Sequence, residues 1–209
     1  MIKVNKQGQA LGRKGGETRR RLLDAALELI ATEDSHKLSA SRIARAAGVA
    51  SQSFYLYFKD IEEVLLTLSQ ETVADFDEVI SVLADATADV SADRLSRRLV
   101  DALANYWGRH RAILNVRNYM ADAGNPAFLK LRYETTIPLI DRLAERMLRA
   151  QPAIAPGDAR GRAITIYQAM ERTVARENAV QYPGGPQGLD LRSAAADVLT
   201  LLLTAAPPR

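Results

Sequence analysis

The 209-residue sequence contains no cysteine, two histidines and one tryptophan. Without cysteine there is neither a disulfide framework nor a thiolate metal site, which suits a reducing cytoplasm. His36 and His110 lie in no metal-binding spacing. A phosphate-cradling glycine loop, a nucleophile elbow and the H-E-x-x-H pattern are also missing. No catalytic residue, cofactor or metal site is therefore expected, and the chain does not read as an enzyme. Val198–Ala206, an apolar stretch near the end, falls far short of the ~20 residues of a membrane span. The N-terminus is charged and glycine-bearing with no unbroken apolar segment, so no signal peptide is expected. A soluble, cytoplasmic protein with no membrane partner is the expectation. Strand-like alternation is absent too, so the fold should be all-α, with about nine helices.

What is present is unevenly spread. The net charge is +3, yet residues 1–60 hold 11 basic against 6 acidic side chains and the remainder 17 against 19. A basic head on a slightly acidic body suggests that the head meets a polyanion; a merely solvated basic tail is the plainer alternative. Residues 1–15 lack periodicity and read as a flexible basic arm, either tracking a phosphate backbone or without function. Helix one is expected over Gly16–Thr32. Its apolar stripe is Leu22, Leu23, Ala26, Leu27 and Ile30, and Arg19, Arg20 and Arg21 crowd the first turns. Cations there oppose the macrodipole, a cost that a nearby phosphate or simple hydration would relieve.

The most informative stretch is Leu38–Val64. Ser39 is placed to cap a short helix whose inner face is Ile43, Ala44 and Ala47, and Gly48 to end it. Val49 fills the crossing, and a second short helix runs from about Ala50 to Tyr57. That helix is polar early (Ser51, Gln52, Ser53) and aromatic late (Phe54, Tyr55, Tyr57, Phe58). Two short helices with small residues where they cross form a helix-turn-helix, whose second helix enters the major groove. Here the sequence resembles the N-terminal domain of the TetR family of transcriptional regulators, especially its EthR-type members. The pattern I-A-x-A-A-G-V-S-x-x-T-x-Y-x-H-F-x-x-K-E-x-L is met by Ile43, Ala44, Ala46, Ala47, Gly48, Val49, Tyr55, Phe58 and Glu62. Among the departures from it, those at Ala50, Ser53 and Ile61 matter. Ile61 stands where the pattern has a phosphate-touching Lys, and neighbouring Lys59 is the candidate to take over that role.

Candidate DNA-binding residues follow. Gln52 can bond adenine N6 and N7 together, with Ser51 and Ser53 beside it. By resemblance, Tyr55 and Tyr57 anchor phosphates. Ser39, Arg42, Arg45 and Lys59 complete the set, while Phe54 and Phe58 read as core.

Past Asp60, a plausible N-cap, one helix is expected to about Asp85, spanning about 38 Å. A fifth, capped by Ser91 or Asp93, should run to Trp107, where Gly108 interrupts; a sixth covers Arg109–Asp122. Ala123–Pro126 is a turn. Helix seven (about Pro126–Ala150) contains Pro138, helix eight covers about Asp158–Val180, and helix nine about Asp190–Ala205. Three parts are thus expected: an arm (1–15), a three-helix DNA-binding domain (16–60) and a helical ligand-binding and dimerisation domain (61–209). The resemblance implies a cavity among helices four to eight for a small apolar or aromatic effector. Its candidate lining is Leu103, Trp107, Tyr119, Phe128, Tyr133, Tyr167, Met170 and Asn178. It also implies a homodimer through helices eight and nine, with Ile166, Val174, Leu191, Ala195, Val198, Leu199 and Leu202 at the interface. The function so implied is a repressor that binds a palindromic double-stranded operator and is released by that effector. A sequence-indifferent DNA-binding protein, or a helical protein-interaction module, would use the same features differently.

Overall fold

A computed structural model describes residues 12–32, 38–84, 90–177 and 190–204, and every regular element among them is helical. The helices are α1 (Arg13–Thr32), α2 (Ala40–Ala46), α3 (Ser51–Tyr57), α4 (Ile61–Glu71), α5 (Val73–Ala84), α6 (Ala92–Asp122), α7 (Pro126–Ala150), α8 (Pro156–Arg176) and α9 (Leu191–Thr204). Nine were expected, but the chain divides differently.

The helix expected from Asp60 to Asp85 is two. Asp60 does cap it, accepting the Glu63 N–H at 2.9 Å, but α4 stops at Thr72. There the Thr72 hydroxyl donates to the Ser69 carbonyl (2.9 Å), one turn after Ser69 Oγ donates to Leu65 O (2.8 Å). Hydroxyls that compete for backbone carbonyls bend or end helices. Conversely, Gly108 does not interrupt: α6 is continuous for 31 residues. Leu99, Leu103, Tyr106, Leu114, Arg117 and Ala121 keep one buried face in phase across the glycine. Burial along that face outweighs the ~1 kcal/mol handicap of a helical glycine. Ser91 rather than Asp93 supplies the cap, accepting the Arg94 N–H. Helix α7 is continuous through Pro138.

Two compact units result. The first comprises Met1–Thr72 and Ala112–Arg132, the second Val73–Arg111 and Tyr133–Arg209. In the first, Leu22, Leu23, Ala26, Ile43, Ala44, Phe54, Phe58 and Val64 form a fully buried core, joined by Ile113 and Val116 of α6. Each large side chain so removed from water contributes ~1.5–3 kcal/mol. In the second, Phe76 meets Tyr106 edge-on at 5.0 Å. His110 Nε2 lies 2.8 Å from Asp75 Oδ2, and Arg109 pairs with Glu78 at 2.7 Å. Arg111 donates to the last carbonyls of α8, Ala175 and Val174, where a cation also suits the helix dipole. Buried Gln151 donates to the Leu202 carbonyl and accepts from Arg162, tying α8 to α9. Among the described residues, no helix is long and apolar enough to cross a membrane.

Candidate nucleic-acid interface

The α2–α3 pair is built as its residues dictate. Ser39 Oγ accepts the Arg42 N–H at 3.3 Å, satisfying a first-turn donor of α2. Gly48 takes φ +67°, so that its N–H reaches Arg45 O (3.1 Å) and the Val49 N–H reaches Ala44 O (2.9 Å). That bond pair is the Schellman ending, which needs a left-handed residue. Ala50, standing where the family pattern has Ser, gives α3 no side-chain cap.

Helix α3 has two opposed faces. Phe54 and Phe58 are wholly buried, their rings 5.8 Å apart. Ser51, Gln52, Tyr55 (53% exposed) and Leu56 (56% exposed) lie on the other side. Ser53 and Tyr57 are half-buried between them. Gln52 is therefore presented to solvent on the polar leading turn, and Tyr55 stands beside it. Leu56 was not singled out from sequence, although it follows Gln52 by four residues, the spacing that puts two helical side chains on one face.

The remaining candidates are distributed around this face. Arg45 is exposed, Arg42 half-buried. Ser39 is half-buried with its hydroxyl engaged in the cap and 3.2 Å from Ser41 Oγ. The Lys59 backbone N–H donates to Glu63 Oε2 (2.7 Å), while its well-exposed ammonium is 3.7 Å from Asp60 Oδ2. The arginine cluster of α1 needs no phosphate to explain it. Helix α1 starts at Arg13, so Arg19–Arg21 stand beyond its first turn. The Arg19 guanidinium lies 4.7 Å over the Phe58 ring, and burial lowers its pKa from the ordinary arginine value. Arg20 pairs with Asp24 (2.6 Å) and Glu71 (2.7 Å). Only Arg21 of the three is exposed.

In the second unit, Leu103, Trp107, Tyr167 and Met170 are buried, and the Tyr167 hydroxyl donates to Glu171 at 3.2 Å. Phe128 is buried in the first unit. Tyr119 and Tyr133 are 62% and 51% exposed, too open to wall an enclosed cavity, which corrects the expectation for both. Asn178, His36 and residues 1–11 of the arm lie outside the described residues. The Trp107 indole Nε1–H is buried without a hydrogen-bond acceptor among the described residues.

The expected interface residues divide. Val174 and Leu199 are fully buried within their own chain, and Ile166 is reduced to the floor of a surface groove. Helices α8 and α9 pack against each other within the chain. Leu191 and Val198 are exposed, Ala195 and Leu202 half-buried. The groove, about 490 Å³, runs past Gly157, Gly161, Thr165 and Ala169 on α8 and Val198 and Leu202 on α9.

Paired short helices joined at a left-handed glycine, with a polar-tipped second helix turned to solvent, define a helix-turn-helix DNA-binding protein. The comparisons agree. Residues 22–68 match the model of the bacterial regulatory proteins of the tetR family. The fatty acid metabolism regulator protein of Bacillus subtilis is 44% identical over 57 residues, covering 27% of this chain and 29% of that protein. The HTH-type transcriptional regulator EthR of Mycobacterium tuberculosis is 26% identical over 188 residues, or 87% of this chain and 85% of that one. Thermus thermophilus FadR, a TetR-family repressor solved in complex with lauroyl-CoA, superposes with a TM-score of 0.56 at 27% identity over 91% of this chain and all of that one. Residues 22–68 thus form a tetR-family DNA-binding domain, and over most of its length the chain is similar to TetR-family transcriptional regulators.

Proposed function

We propose that this regulator represses transcription by reading a two-fold symmetric operator as a homodimer, and that a fatty acyl thioester of coenzyme A releases it. The observation that carries the reading is the exposed face of α3. Gln52 reads a base there, Ser51 and Ser53 stand beside it, and Tyr55, Tyr57, Arg42, Arg45 and Lys59 hold phosphates. One such face spans only a few base pairs, so a symmetric pair is needed for a site of useful length. The groove of α8 and α9 is the surface through which the copies join, its small residues permitting close helix approach.

Two things support an acyl thioester. Lauroyl-CoA is the ligand of the similar Thermus regulator. In this chain the buried Trp107 N–H lacks an acceptor among the described residues, a shortfall of ~1–3 kcal/mol that a ligand carbonyl would remove. Leu103, Tyr167 and Met170, buried in the same unit as Trp107, are the apolar residues assigned to the acyl chain. The effector acts by binding more tightly to the conformation in which the two α3 helices no longer match the operator. The balance moves only by that difference in affinity.

Selection from a random duplex pool tests the operator: a palindrome is expected, and equal recovery of all sequences would sink the reading. Trp107, the single tryptophan, reports the effector. Lauroyl-CoA should change its fluorescence saturably and release the operator, whereas free coenzyme A should do neither.

A further inference from the structure

We infer that Leu56 selects thymine at one position in each operator half-site, packing its isobutyl group against the C5-methyl in the major groove. The inference rests on the operator reading above and adds a second specificity residue of different chemistry to Gln52. Leu56 is 56% exposed, and its place, more than its exposure, singles it out. A lone surface leucine needs no explanation. This one follows Gln52 by one helical turn and adjoins Tyr55, on the side of α3 opposite buried Phe54 and Phe58.

If α3 lies in the major groove with Gln52 at a base edge, Leu56 lies in the groove as well. An isobutyl group neither donates nor accepts a hydrogen bond. Over guanine, cytosine or adenine it would strip water from base-edge polar groups and return nothing. The thymine methyl is the one apolar feature the groove offers. Gln52 and Leu56 therefore divide the work: hydrogen bonding fixes one base pair, and apolar contact fixes another one helical turn along α3.

The test uses the full chain and the operator recovered by selection. Each thymine is replaced in turn by deoxyuridine, which removes the methyl and leaves every hydrogen-bonding group in place. For the wild-type protein, one replacement per half-site should weaken binding about fourfold, the worth of one buried methyl group. Leu56→Ala should bind the thymine and uracil operators equally, while Gln52→Ala keeps the thymine preference. Because Leu56 is exposed, the melting temperature of Leu56→Ala serves as a folding control and should stay at the wild-type value. If no thymine replacement affects the wild type, or if Leu56→Ala stays as sensitive to the methyl, the Leu56 assignment is overturned and the operator reading stands. If selection recovers no preferred duplex, both fall together.

Discussion

Gly48 sits at φ +67° with nothing within 4 Å of where a Cβ would project. Substitution there meets no neighbour, so its cost is purely that of the backbone. Gly48→Ala should lose about 1–2 kcal/mol, read as a lower urea midpoint at unchanged slope. A larger loss would mean that the turn, and not just its glycine, had failed. Nearby, Gln52 and Tyr55 share exposure but differ in chemistry. Gln52→Ala is expected to relax base preference at one position per half-site, by ~1–3 kcal/mol of discrimination, with the salt slope nearly unchanged. Tyr55→Phe should instead weaken all duplexes alike. Measuring both variants on the selected operator and on scrambled duplex separates the roles; identical losses from Gln52→Ala on every sequence would contradict base reading.

At the scale of elements, local chemistry and long-range packing part company. The caps at Ser39 and Asp60 and the glycine ending of α2 were legible because each is a short-range bargain between one side chain and a few backbone groups. On α3 the burial of Phe54 and Phe58 was legible from residue type, whereas the exposed Leu56 between them was not singled out. Two features were not legible. The break at Thr72 coincides with hydroxyls of Ser69 and Thr72 that bond backbone carbonyls, a choice that composition does not reveal. The continuity of α6 through Gly108 depends on burial on both sides of it, and so does the joining of Ile113 and Val116 to the core around α1–α4. Periodicity shows that a helix has a buried face but not what covers it. Gly108 offers the check: it is exposed, has no positive φ, and an added Cβ would meet nothing within 4 Å. Gly108→Ala should therefore stabilise the protein by about 0.5–1 kcal/mol, seen as a raised melting temperature. Destabilisation would show that the position needs glycine for a reason other than helix formation.

For the whole molecule, burial decides which substitution can test association. Leu199 is fully buried in its own protomer, so a charge placed there would report on folding and leave dimerisation unanswered. Val198 is its neighbour on α9 but points outward, 48% exposed at the edge of the groove. Val198→Arg should leave the melting temperature of the protomer nearly unchanged, since an exposed substitution usually costs within about 0.5 kcal/mol. If a second copy occupies the groove, the same change forces a long cationic side chain into a contact lined by Gly161, Thr165 and Ala169 together with Asp158 and Arg162, where crowding and desolvation both oppose association. Sedimentation velocity at micromolar concentration should then find monomer. Operator affinity should fall on the order of a hundredfold or more, because the second half-site is no longer engaged at the high effective concentration that a dimer provides. Persistence of a dimer with full operator affinity would place the contact between copies on some other surface.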